Sequence, residues 1–302
     1  MGKAERNRRQ SAQEKIAAQR AAARRAERRR QALIAGGSVL VVIAIVVAFI
    51  VVKAVGGKST ATAGATSPAG TTLASGVLSN VTGVPVSTLD AVGTGSTYKG
   101  AIQNIPGGTP LTSGGKPEVV YVGAEYCPYC AAERWAITIA LSRFGTFSGL
   151  RGIHSSSTDA DPNTPTLTFY KSSYTSKYVV FASTETQTVT RANLQSLTTL
   201  DNQLMAKYDV PPYVPSSADN GSFPFVDVGN KYVINGASFD PLVLAGKTWS
   251  QVAAAFKDPS SPIAKSVDGA ANLITSAICK TTNNQPANVC GSAGVTAASG
   301  AI

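Results

Sequence analysis

The chain has 302 residues, 43% of them hydrophobic and only 15% charged, with a formal net charge of +10. That length allows one or two domains with a sizeable core, and that charge taken alone would suggest a nucleic-acid partner. Its distribution excludes such a partner for the main body: residues 1–32 hold 11 of the 27 Lys and Arg and 3 of the 17 Asp and Glu, a net +8, which leaves +2 for the rest of the chain.

Residues 1–32 form a basic tail rich in Ala, Arg, Glu and Gln, a composition that favours helix. Residues 33–52 read as a transmembrane helix. The run 31–52 carries no charge, and from Val39 onward nearly every residue is Val, Ile, Leu, Ala or Phe. About 20 such residues cross a hydrocarbon core of roughly 30 Å. Arg28, Arg29 and Arg30 precede the run and Lys53 follows it. The heavier positive side stays in the cytoplasm, so everything after the span is expected outside. A buried core helix is rarely this long with an Arg cluster at its start. A cleaved signal peptide has a shorter basic region and an apolar stretch of roughly 7–15 residues. Ala61-Thr62-Ala63 resembles a cleavage site but lies well past the run. The tail is expected against anionic lipid headgroups.

Residues 53–76 are rich in Gly, Ser, Thr, Ala and Pro and read as a flexible linker that cannot bury enough surface to fold alone. A folded domain is expected over 77–290, and 291–302 as a loose tail. Residues 118–122 (EVVYV) predict a buried strand. The Cys127-Pro128-Tyr129-Cys130 motif follows, and then 131–144, with Trp135, Ile139 and Leu141 at helical spacing. Strands are predicted at 150–154, 166–170 and 178–181, and a helix at 193–208 with Leu194, Leu197, Leu200, Leu204 and Met205 on one stripe. Two strands, 224–228 and 231–235, are joined at Gly229-Asn230 as a hairpin. Helices are predicted at 248–257 and 263–280.

Four cysteines outside the membrane favour disulfide chemistry. A strand before the Cys-Pro-Tyr-Cys motif and a helix after it place Cys127 at a helix N-terminus, where free N–H groups and the dipole favour thiolate. A thiolate attacks a substrate disulfide and a second thiol resolves the product. Cys127 is therefore the candidate nucleophile and Cys130 the resolving thiol; Pro128 suits the first helical position. Two other readings stay open. A zinc site needs two more ligands, whereas the chain has one histidine, His154, and its other cysteines, Cys279 and Cys290, are widely spaced. A purely structural bridge across two residues constrains the unfolded chain little. Cys279 and Cys290 read as a structural disulfide that staples a polar loop to the last helix, contributing about 2–3 kcal/mol, with a redox relay to the motif as the sharper alternative. His154 reads as a structural residue. Glu125 and Glu133 read as solvated, and Tyr126 and Tyr129 as packing or substrate-facing aromatics. No metal or cofactor is expected.

The order strand, Cys-x-x-Cys helix, strand, insertion, Pro-led strand, hairpin strand, helix resembles the thioredoxin fold. The stretches VGAEYCPYCAAERWAITIALSRFGTFSGL, HSSSTDADPNTPTLTFY and FPFVDVGNKYVINGASFDP resemble the membrane-anchored thioredoxin-like proteins of uncharacterised-domain family 929, as do Cys279 and Cys290. The resemblance implies an α/β fold with an insertion, residues 155–220, between the motif helix and second strand and the Pro-led strand. It also implies a cis-proline at Pro224 beside the motif, with Phe223 facing substrate. The function so implied is a membrane-tethered, extracytoplasmic thiol–disulfide oxidoreductase. Its partners would be the membrane, extracytoplasmic protein thiols or disulfides, and a membrane electron-transfer protein, with no nucleic acid. The alternative is a non-catalytic interaction module with a structural disulfide.

Overall fold

The computed structural model describes residues 70–302. The expected tail (1–32), membrane span (33–52) and residues 53–69 of the expected linker lie outside the described residues. Among the described residues no helix is long and apolar enough to cross a membrane.

The fold is mixed α/β, built around β3 (Lys116–Gly123). The last five residues of β3 are buried, because the strand is covered on both faces. Val119 and Tyr121 enter one apolar cluster, while Val120 and Val122 enter another on the opposite face. One edge of β3 pairs antiparallel with β9 (Phe225–Val228), Val119 opposite Val228. Then follow β10 (Tyr232–Asn235) and the short β1 (Gln103–Asn104), each antiparallel to its neighbour. The other edge pairs in parallel with β8 (Val180–Glu185), and the short β2 (Thr112–Ser113) pairs antiparallel with the first residues of β3. Gly229 and Asn230 make the β9–β10 turn as predicted, with φ of 63° and 55°.

One face of this sheet carries α3 (Pro128–Ser142) and α6 (Pro262–Thr281), which pack on each other and on α1 (Ser75–Thr82), α2 (Val86–Val92) and α5 (Trp249–Ala255). Trp135 meets Phe256 there, ring centroids 5.6 Å apart. The other face is covered by α4 (Thr199–Tyr208), through Leu204 and Tyr208.

Several expectations need correction. The predicted strand at 150–154 forms as β5 (Arg151–His154), but it pairs with β6 (Pro165–Thr168) in a separate two-stranded sheet. The parallel neighbour of β3 is β8 instead. A second small sheet joins β4 (Gly145–Ser148) to β7 (Ser173–Ser176). The segment inserted between α3 and the next strand of the central sheet is therefore 143–179, not 155–220. The helix expected from 193 begins at Thr199, because Thr198 and Asp201 form a reciprocal cap that fixes its start. The fold starts before residue 77: Thr71 pairs with Gly152 and Leu73 is buried.

The expected loose tail at 291–302 is also ordered. After α7 (Ala287–Cys290), α8 (Ala293–Ser299) buries Val295 and Ala298. Small residues allow this close docking. A Cβ on Gly294 would meet the Leu89 carbonyl oxygen at 2.5 Å, while its N–H bonds the Asp90 carboxylate at 2.7 Å.

Candidate functional site

At the end of β3 the chain turns through Ala124-Glu125-Tyr126 into α3. Cys127 caps that helix: its Sγ accepts the Cys130 backbone N–H at 3.3 Å, and Pro128 occupies the first turn, where no N–H is needed. Cys127 is 6% exposed and Cys130 fully buried; both are free thiols. The Phe223–Pro224 peptide is cis, and the Phe223 carbonyl accepts from the Cys127 thiol at 3.7 Å. Cys127, Cys130 and Ala124 form their own small cluster, with Tyr126 and Phe223 packed against it.

The two sulfurs are driven apart in acidity. A hydrogen bond from the Cys130 thiol lowers the Cys127 pKa most, assisted by the Cys130 and Tyr129 backbone N–H groups and by the Arg134 charge, against the effect of burial. Burial pushes Cys130 well up, and the bond and charge of Cys127 add to the rise. At the helix start, Cys127 is thus the sulfur suited to ionise and attack.

Behind the sulfurs lies a buried polar layer. Arg134, one turn beyond Cys130, meets the Glu185 carboxylate with two hydrogen bonds of 2.8 Å and donates to the Ala124 carbonyl at 2.7 Å. Both side chains are fully inaccessible. Such a pair costs desolvation, and its hydrogen bonds offset that cost. The Tyr121 ring packs edge-on to Phe169, centroids 5.1 Å apart, and its hydroxyl is buried without a partner. Arg134, Glu185 and Tyr121 were not singled out from sequence. The available signal was Arg134 itself, a cation four residues after Cys130 and beside Glu133 in a largely apolar helical run.

Other predicted residues take different places. Tyr129 is 42% exposed and is the part of the motif that meets solvent. Tyr126 stacks under the Arg191 guanidinium, 3.7 Å from the ring centre, and Arg191 also pairs with Asp159. The solvated reading of Glu125 and Glu133 is corrected. Glu125 is buried and accepts from the Thr168 hydroxyl at 2.8 Å. Glu133 is fully buried and accepts from the Ser238 N–H and hydroxyl at 2.8 and 2.9 Å; burial raises its pKa to about 7. His154 lies apart from the sulfurs, 4.4 Å from the Trp249 ring, and shares a cavity of about 430 Å³ with Glu125, Asn163 and Thr190.

Cys279 and Cys290 are bonded to each other, Cα atoms 5.6 Å apart, and join the last turn of α6 to α7. Among the described residues no three or more His, Cys, Asp or Glu are grouped to hold a metal ion.

A family model described as Domain of unknown function (DUF929) matches residues 106–280, more than half of the chain. The chain belongs to that family. The span matched to DUF929 takes in Cys127, Cys130, Pro224 and Cys279 and stops short of Cys290. No curated protein and no solved structure matches the chain.

Proposed function

We propose that this domain is a thioredoxin-like thiol–disulfide oxidoreductase, tethered to the membrane by residues 33–52 and acting on extracytoplasmic protein thiols or disulfides. One observation carries the reading: a cysteine of lowered pKa caps α3 and accepts the backbone N–H of a buried cysteine of raised pKa in the first turn. The thioredoxin-like part is supported by the sheet, in which a parallel strand flanks β3 on one side and an antiparallel hairpin on the other. The cis Phe223–Pro224 peptide beside Cys127 supports it further. The membrane tether and the outside location rest on the apolar run and its flanking charges.

In the reducing direction, the Cys127 thiolate attacks one sulfur of a substrate disulfide. A bond forms between Cys127 Sγ and that sulfur, and the other substrate sulfur leaves with the electron pair and takes up a proton. Cys130 then loses its proton and attacks Cys127 Sγ, closing the Cys127–Cys130 disulfide and releasing the second substrate thiol. Two electrons pass to the substrate in all. The reverse sequence oxidises a dithiol.

A second reading, a non-catalytic interaction module, is favoured by the near-complete burial of both sulfurs. Exchange between the full-length protein and a disulfide-bonded polypeptide separates the two. The wild type should exchange and Cys127→Ser should not. Equal rates in the two proteins would refute the oxidoreductase reading.

A further inference from the structure

The resolving step needs a charged sulfur where water does not reach. Cys130 is fully buried, so its thiolate forms only if hydrogen-bond donors receive it. The cation nearest to it in sequence, Arg134, is already engaged by Glu185 and by the Ala124 carbonyl. The Ala124 backbone N–H, just past the end of β3, favours the charged form of Cys130.

Two side chains at this place have a donor to spare, Arg134 at Nη1 and Tyr121 at its hydroxyl, and it is the Tyr121 hydroxyl that the strand brings to the space beside the sulfur. Tyr121 and Gly123 lie two residues apart on β3 and point to the same face. A Cβ added to Gly123 would come 2.2 Å from the Tyr121 hydroxyl and 3.1 Å from Cys130 Sγ. Glycine is thus what lets the hydroxyl and the sulfur share one small space. That hydroxyl is fully buried with no partner in the resting, protonated site, a state that ordinarily costs stability.

We infer that the Tyr121 hydroxyl is a hydrogen-bond donor held ready for the Cys130 thiolate, so that Tyr121 supports resolution of the mixed disulfide rather than the first attack. The inference rests on the oxidoreductase reading of this site. Tyr121 keeps its own proton throughout; the proton lost by Cys130 goes to the departing substrate thiolate or to buffer. The charged and titratable groups around the sulfur are Cys127 and Arg134 on the motif helix, Tyr121 on β3 and Glu185 on β8. Phe169 closes the other side of the Tyr121 ring.

The test uses the reduced full-length protein and dithiobis(nitrobenzoate), whose two chromophore releases report the two sulfurs in turn. Attack by Cys127 gives the first release and resolution by Cys130 the second. Tyr121→Phe removes only the oxygen. The second release is expected to slow roughly ten- to hundredfold, and its pH profile to move upward, with the first release unchanged. A second measurement avoids kinetics: in a Cys127→Ala background, thiolate absorbance of Cys130 should rise at higher pH when Tyr121 is also Phe. An unchanged second release with an unchanged profile overturns the inference, as does a wild type that gives no second release. This small disulfide reports the step even if no polypeptide is ever exchanged, so failure here is distinct from failure of the oxidoreductase reading.

Discussion

The two cysteine pairs occupy opposite ends of helices. Cys127 caps the start of α3, where its sulfur faces free N–H groups, and Cys130 follows in the first turn. Cys279 lies in the last turn of α6, where free carbonyls gather, and its bond to Cys290 closes a loop of polar residues. A helix start favours a thiolate, and a helix end offers it nothing. Behind the first pair lies the Arg134–Glu185 layer, whereas Cys279 packs among the apolar residues of the main core. On the proposed reading, this difference in placement puts reactivity at the first pair and stapling at the second.

The largest effect expected from this division is at Cys130. Cys130→Ser should turn turnover into trapping, with substrate left covalently on Cys127, visible as an added mass that reductant removes. Replacing both Cys279 and Cys290 by Ser should leave exchange rates unchanged and lower unfolding stability by about 2–3 kcal/mol in denaturant titration, the loop being short. If exchange collapses while the fold survives, the second pair is a relay and the division fails. Gly123→Ala forces a methyl group against the Tyr121 hydroxyl and should destabilise by about 1–3 kcal/mol while slowing resolution more than attack.

A further effect separates stability from reactivity by pH. Burial holds the Asp268 carboxyl on α6 up at about 8, and neither of its oxygens has a partner. The unfolded chain gives up that proton in the ordinary carboxylate range and the folded chain does not. Stability is therefore fullest below that range and falls as pH rises toward about 8. Glu133 and Asp227, each raised to about 7 by burial, act with the same sign. Thermal unfolding across this window should show the decline, and Asp268→Asn should flatten part of it. The exchange rate should do the opposite, rising with pH as Cys127 ionises below the ordinary thiol range.

Much of the site is legible in the sequence, because a β-branched run leading into Cys-Pro forecasts a strand feeding a helix start. The β9–β10 hairpin is legible for a similar reason, since Gly229-Asn230 is one of few pairs that accept positive φ at both positions. The start of β8 is legible in the apolar run 178–181, but its second half escapes a pattern reading. Its buried Thr184 and Glu185 look like surface residues until Asp201 and Arg134 are seen to satisfy them. Glu125 and Glu133 mislead in the same way. α8 is hidden because Ala, Gly and Ser give no apolar stripe, although their smallness is what allows it to dock.

Tyr129 stands 42% exposed between two sheltered sulfurs, and this separates recognition from reactivity. On the proposed reading a substrate protein would meet that ring first, and replacing the Tyr129 side chain would act on substrate choice rather than on the Cys127 proton. The same shelter governs durability. Sulfenic and higher oxidation states begin with an accessible thiolate, and Cys130 offers neither access nor charge at rest. Of the two sulfurs, it is therefore Cys130 that is guarded against oxidants.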